Sequence, residues 1–249
     1  MKKIIPLLFI IFLLTGCSSK DNNENYDEEL ELTYLTKREI KCDEIKNAKL
    51  MNMDLFVTND NIIYQYSLDK TYGDLNCKNY ASTTSKITGL YNRNLIDENK
   101  TVLIAPPSSD KLLYVDNYSN TYTHDEYYYG SSLIIRENNS MYSMVNKGDS
   151  NKKIDIQNPL SSNIKINSIN GRVINTDQGY YVINYRVTNK EECESDTTKE
   201  CIKENYIESS EVLNKIKDKI SIAYTKNYDD YDNTIYFYYN GYIYTINVS

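Results

Sequence analysis

Strand-forming residues come in short paired runs along this chain, each pair turned back on itself by a doublet that tolerates tight turning. The clearest pair is DNTIYFYYNGYIYTINV, residues 232–248, where two β-favouring runs flank Asn240-Gly241. A type I′ hairpin turn needs φ > 0 at both central positions, which Asn and Gly accept. The same figure occurs four more times, anchored on Asn61, Asn99, Asn139 and Gly179, with Gly241 the fifth anchor. Three positions after the anchors stand Tyr64, Val102, Tyr142, Val182 and Tyr244, all strand formers. Four positions before stand Val57, Leu95, Ile135, Asn175 and Phe237, apolar in every copy but one. The anchor spacings are 38, 40, 40 and 62, so a module of about 40 residues repeats, with roughly 22 extra residues before the last copy.

Between the hairpins the pattern predicts further strands. LELTYLTKREIK, from residue 30, alternates Leu32, Tyr34 and Thr36 as one N-terminal strand, placed to close against the C-terminal hairpin. LLYVDNY (112–118) and NTYTHDEYYY (120–129) are expected as two strands joined at Asn117–Asn120. Residues 188–210 break the period and form the extra segment. SSEVLNKIKDKI (209–220) predicts a short helix capped by Ser209 or Ser210, with Val212, Leu213, Ile216 and Ile220 on one side.

The fold class is therefore all-β. A unit of this length, holding a hairpin and one or two more strands, suits a propeller-like array of about five modules, with a sandwich or partly closed barrel as the alternative. Both faces of a blade pack on neighbours, which explains why IYFYY lacks polar alternation. Over roughly residues 50–248 the modules resemble the degenerate repeats of β-propeller lipoproteins, although no WD dipeptide and no double-Gly box is present.

The leader changes the picture from fold to location. Lys2-Lys3, an apolar run from Ile4 to Leu14 and a small pair form a secretion signal, too short to cross a bilayer as a helix. Leu14-Thr15-Gly16-Cys17 resembles the lipobox of bacterial lipoproteins. That resemblance implies cleavage of residues 1–16 and a diacylated Cys17, hence an extracytoplasmic protein lipid-anchored to the bacterial cell membrane. Residues 17–31 (CSSKDNNENYDEELE) are polar and acidic, expected as a flexible tether, leaving 32–249 as the domain.

Net charge is −7, and about −9 once Lys2 and Lys3 are removed, which argues against a nucleic-acid partner. With 26 Tyr, 4 Phe and no Trp, the aromatic residues are read chiefly as strand packing. Outside the cytoplasm, Cys42, Cys77, Cys193 and Cys201 predict two disulfides. Cys193–Cys201 would pin the base of the extra segment. Cys42–Cys77 would tie the N-terminal strand to the first module, worth about 2–3 kcal/mol for a short closed loop.

Chemistry is sparse. No C-x-x-C pair supports a metal site, no cofactor fingerprint occurs, and no catalytic set stands out. The single histidine, His124, shares a strand face with Glu126. S-x-x-K recurs at Ser67, Ser108, Ser150 and Ser162 without accompanying motifs, and Asp229, Asp230 and Asp232 form an acidic turn lacking the rest of a calcium loop. The extra segment, with Glu191, Glu192, Glu194, Asp196 and Glu200, is the candidate binding loop for a basic partner. A module that binds a protein or glycan is expected; a glycosidase-like surface hydrolase is the alternative.

Overall fold

The computed structural model describes residues 25–66, 75–91, 93–99, 101–105, 111–117, 125–129, 132–137, 139–147, 150–195, 198, 201–225 and 234–247. Among them the chain is mostly strand, with a 3-10 turn at Asp43–Asn47 and two short helices, α1 (Lys190–Ser195) and α2 (Glu211–Ile216). One of the sheets curls into a half-barrel.

The described residues begin with a hairpin of β1 (Asn25–Asp27) and β2 (Leu32–Tyr34), then β3 (Thr36–Lys41). Five antiparallel units follow. The first comprises β4 (Ala48–Met51), β5 (Leu55–Thr58), β6 (Ile62–Gln65) and, after the two-residue β7 (Leu75–Asn76), β8 (Lys78–Ser82). The second is β9 (Ile87–Tyr91), β10 (Asn94–Asp97), β11 (Thr101–Ile104) and β12 (Leu113–Asn117). The third is β13 (Asp125–Tyr129), β14 (Ser132–Glu137), β15 (Ser140–Lys147) and β16 (Ser150–Gln157). The fourth is β17 (Ile166–Asn170), β18 (Val173–Thr176), β19 (Tyr180–Val187) and β20 (Lys203–Ser209). The fifth has β21 (Ile222–Tyr224), β22 (Thr234–Tyr239) and β23 (Tyr242–Asn247), and its fourth strand is β3, paired antiparallel to β23 from Tyr242↔Glu39 to Thr245↔Thr36. Units three and four join in one sheet through parallel pairing of β16 with β20 at Ile156↔Asn205.

All five expected hairpins lie between the second and third strands of their units. At the last, Asn240 (φ 46°) and Gly241 (φ 86°) carry the positive φ pair that the doublet predicts, and Tyr239 faces Tyr242. The fourth uses other chemistry: the Thr176 hydroxyl accepts from the Gln178 and Gly179 N–H groups and donates to the Gly179 carbonyl. At the second, the Asp97 carboxylate accepts from the Asn99 N–H at 2.9 Å.

Contacts between units run through their first strands, from β4 to β9, β13, β17, β21 and back to β4, with β17 also meeting β4 directly. The buried clusters sit at these junctions. Leu55 and Val57 face Ile87 and Leu95 of the second unit, whereas Phe56, between them, packs toward Tyr224 and Tyr238 of the fifth. Ile235 and Phe237 face the fourth unit while Tyr238 faces the first. Alternate residues thus bury opposite sheet faces, and apolar-polar alternation disappears.

Close approach fixes one glycine the sequence pattern does not flag. Gly171 (φ 67°) sits against Thr225, whose Oγ1 would lie 2.2 Å from an added Cβ. Here the Arg172 N–H donates to Thr225 Oγ1 at 2.7 Å, and Asn170 Oδ1 accepts from the Met51 N–H at 3.1 Å, stitching the fourth unit to the fifth and first.

Three expectations are corrected. Residues 25–31, assigned to the flexible tether, form the β1–β2 hairpin with Leu30 only 1% exposed. LELTYLTKREIK is two strands, because Leu35 breaks from β2 to donate its N–H to the Thr245 carbonyl. Two strands do lie within 112–118 and 120–129, as expected, and they fall in different units: β12 ends the second and β13 begins the third. The extra segment loses its last residues to β20, which pairs with β19 over Tyr181↔Ser209 to Val187↔Lys203.

Candidate functional site

A cleft of about 310 Å³ opens between the fourth and fifth units. β19 contributes Val182, β20 contributes Glu208 and Ser209, β22 contributes Ile235, and β23 contributes Ile246 and Asn247. Ser210, Glu211 and Val212 complete it at the start of α2. Each part follows from local rules. Glu208 pairs across the ladder with Val182, so its carboxylate stands on the same sheet face, where it accepts from Asn184 Nδ2. Ser210 caps α2, its Oγ accepting from the Leu213 N–H at 3.3 Å, which holds Glu211 at the rim. Val182, Ile235 and Ile246 are buried and form the apolar wall. Among the described residues the lining holds two carboxylates and no basic or aromatic side chain. Such a pocket suits a cationic group on an apolar stem.

The candidate loop begins on the same unit. Glu191 and Glu194 are exposed on α1, and Glu194 meets Lys190 at 3.7 Å across one turn. Its base is closed by the Thr188 N–H donating to the Ile202 carbonyl at 2.9 Å and the Ile202 N–H donating to Asn189 Oδ1 at 2.6 Å. Glu192 and Cys193 belong to α1 but their side chains, like Asp196 and Glu200 altogether, lie outside the described residues. Cys201 is disulfide-bonded.

Cys42 and Cys77 form the expected disulfide, with Cα atoms 5.4 Å apart, just after β3 and just before β8. Glu44 lies beside them, and this is the only trio of metal-ligand type among the described residues. Both sulfurs are committed to the disulfide, so thiolate ligation is not offered there. Cys17, His124, Ser67, Ser108, Asp229, Asp230 and Asp232 lie outside the described residues, as does the side chain of Glu126 on β13. Ser162 is exposed, its N–H donating to Asn139 Oδ1.

A second polar cluster joins the N-terminal hairpin to the fifth unit. Asp27 Oδ2 accepts from the Tyr244 hydroxyl at 2.7 Å and from Lys37 Nζ at 3.2 Å, and Asp27 Oδ1 accepts from the Leu30 N–H at 3.0 Å. Lys37 also stands 4.6 Å from the Tyr242 ring centre and 4.9 Å from that of Tyr244. Burial raises the Asp27 carboxyl, yet the bonds from Tyr244, Leu30 and Lys37 outweigh it and leave the group below its ordinary value. Tyr244 is pushed up to about 12, first by burial. Lys37 is raised, chiefly by its hydrogen bond to Tyr244.

Residues 1–18 match the model of the prokaryotic membrane lipoprotein lipid attachment site. The match covers the leader and Cys17, and it implies a lipid-anchored lipoprotein of the cell envelope. No curated protein and no solved structure matches the chain. Neither the cleft nor the Asp27 cluster was visible as a motif. The cleft's only advance signal was the Ser210 cap, which located α2 and hence Glu211.

Proposed function

We propose that this lipoprotein is an extracytoplasmic binding module, built as a five-bladed β-propeller, that captures a basic side chain of a protein partner in the cleft between its fourth and fifth units. Three features support the scaffold: the cyclic contacts of the five first strands, burial of both sheet faces, and completion of the fifth unit by a strand from the other end of the chain. The binding reading is carried by the cleft, whose rim bears Glu208 and Glu211 over an apolar wall. A Lys or Arg side chain matches both halves, its stem against Val182, Ile235 and Ile246 and its charge at the carboxylates. Among the described residues the lining offers no ring on which a sugar face would stack, which favours a protein over a glycan. Glu191 and Glu194 on the same unit add to the negative field that steers such a partner. A Cys193–Cys201 bond pinning α1 belongs to this proposal.

The hydrolase alternative needs carboxylates converging where the first strands meet. Among the described side chains those strands bring Lys49, Thr88, Asn167, Ser168 and Asn170, while Asp125 and Glu126 of β13 have side chains outside the described residues.

The test is titration of a fluorescent Lys-rich peptide into the soluble domain, followed by anisotropy at low and moderate salt. The parent is expected to bind with salt-dependent affinity, and Glu208→Gln with Glu211→Gln to weaken binding about three- to tenfold, as expected for two ion pairs at exposed carboxylates. Equal binding by parent and double variant would remove the cleft from consideration.

A further inference from the structure

We infer that the rim opposite the hairpin turns of the fourth and fifth units faces the lipid leaflet that holds Cys17, with Tyr26 and Ile202 touching its headgroup layer. Helix α2 and the turn after it show that these two turns share one side. Asn214 Oδ1 accepts from the Tyr180 N–H at 2.7 Å, directly after the fourth turn. Lys219 donates to the Glu29 carbonyl, and the Glu29 carboxylate accepts from the Tyr239 hydroxyl, directly before the fifth. The far ends of the same strands define the opposite rim. β19 runs from its turn to Val187, where the Thr188–Ile202 bond closes the extra segment. β23 runs from its turn toward Asn247, and near that end Thr245 pairs with Thr36 and takes the Leu35 N–H. Leu35 follows Tyr34, and Tyr34 pairs with Asn25, so the chain leads toward Cys17 from this rim.

Two independent observations then coincide there. Tyr26, 62% exposed, and Ile202, 60% exposed, are the large apolar side chains left open to solvent among the described residues, and both stand on this rim. Cys17 and Asn25 are separated by eight peptide steps, which reach at most about 29 Å when fully extended. A tether that short keeps the rim close to the bilayer, at a depth where Tyr is favoured. Glu191 and Glu194 on the same rim oppose an anionic surface, so the fitting occupant is a zwitterionic leaflet. This orientation rests on the attachment site and not on the cleft.

The chain contains no Trp, so one introduced indole reports alone. Tyr26→Trp, Ile202→Trp and, as the opposite-rim control, Gln178→Trp would each be placed in the full lipidated chain. Each variant would be reconstituted in phosphatidylcholine vesicles containing brominated phosphatidylcholine. Quenching at positions 26 and 202 at least twice that at position 178 is the expected result, with unchanged melting showing that each variant folds. Equal quenching at all three positions, or stronger quenching at 178, would overturn the orientation.

Discussion

Two stretches of this chain look alike as sequence and behave differently as structure. NYDEELE in the N-terminal hairpin and KEECES in the extra segment are both short, acidic and poor in apolar residues. The first is docked: Leu30 and Leu32 enter the same buried cluster as Val173, Phe237 and Tyr244, and the Asp27 carboxylate has three donors. The second rests on an exposed Lys190–Glu194 pair and the hydrogen bonds at its base, with Ile202 left in solvent. Charge density does not separate them. Two leucines at i, i+2, on either side of an exposed Glu31 and facing a neighbouring groove, and one satisfied carboxylate, do.

Removing the leucine anchor should have the largest effect. Leu30→Ala deletes a side chain that is 1% exposed, and the expected loss is about 2–4 kcal/mol. Urea unfolding of the soluble domain measures it, and Glu-specific proteolysis at Glu28, Glu29 and Glu31 should become faster in the variant. A loss below about 1 kcal/mol would mean that the hairpin is an accessory to the cooperative fold rather than part of it.

Asp27→Asn should cost less, about 1–2 kcal/mol at neutral pH, because the amide keeps some hydrogen bonding but not the charge. The pH dependence identifies the cause. A carboxyl whose folded pKa lies below its unfolded value of about 3.9 stabilises the fold above that pH. Its contribution is lost as pH falls through the lower folded value. Tyr244 and Lys37 are shifted upward, so their contributions are complete below pH of about 10. The Tyr244 share is lost as pH rises through about 12. The stability gap between parent and Asp27→Asn should therefore be flat from about pH 5 to 9 and shrink on acidification. A gap that persists undiminished into strong acid would assign the effect to packing instead of the carboxylate.

The hairpins were legible because their turns are written in local chemistry: Asn240-Gly241 meets a φ requirement that few other residues satisfy. Helix α2 was legible for the same reason, with Ser210 at its cap and Leu213 and Ile216 one turn apart. Closure of the fifth unit by β3 and the Cys42–Cys77 bond were also anticipated, the first from a strand pattern left over before the repeats and the second from cysteine count. What could not be seen was context. Leu30 looks like an isolated apolar residue in an acidic run until the groove between the fourth and fifth units exists to receive it. β20 was hidden because KENYIES has only Tyr206 and Ile207 as apolar residues inside a charged segment, and only pairing with β19 makes it a strand. The cleft is further removed still: Glu208, Glu211, Ile235 and Ile246 come from four elements, and no spacing along the chain encodes their meeting.

The smallest effect is expected from the extra segment itself. Because β20 starts at Lys203, the replacement must stop short of it. Residues 190–201 are exchanged for a four-residue Gly/Ser linker, keeping Thr188, Asn189 and Ile202 at the base. Shortening the loop relieves closure entropy by roughly 0.6 kcal/mol per halving. Loss of the exposed Lys190–Glu194 pair works the other way by about 0.3–0.5 kcal/mol. The disulfide of Cys201 goes too, and with the proposed Cys193 as its partner the linker confines the unfolded chain over the same interval and makes up for its loss. The melting temperature should therefore move by no more than about 2 °C, with Lys-rich peptide binding weakened only modestly because Glu208 and Glu211 remain. A drop comparable to that of Leu30→Ala would show that the segment packs on the domain as the N-terminal hairpin does, and the contrast between the two acidic stretches would collapse.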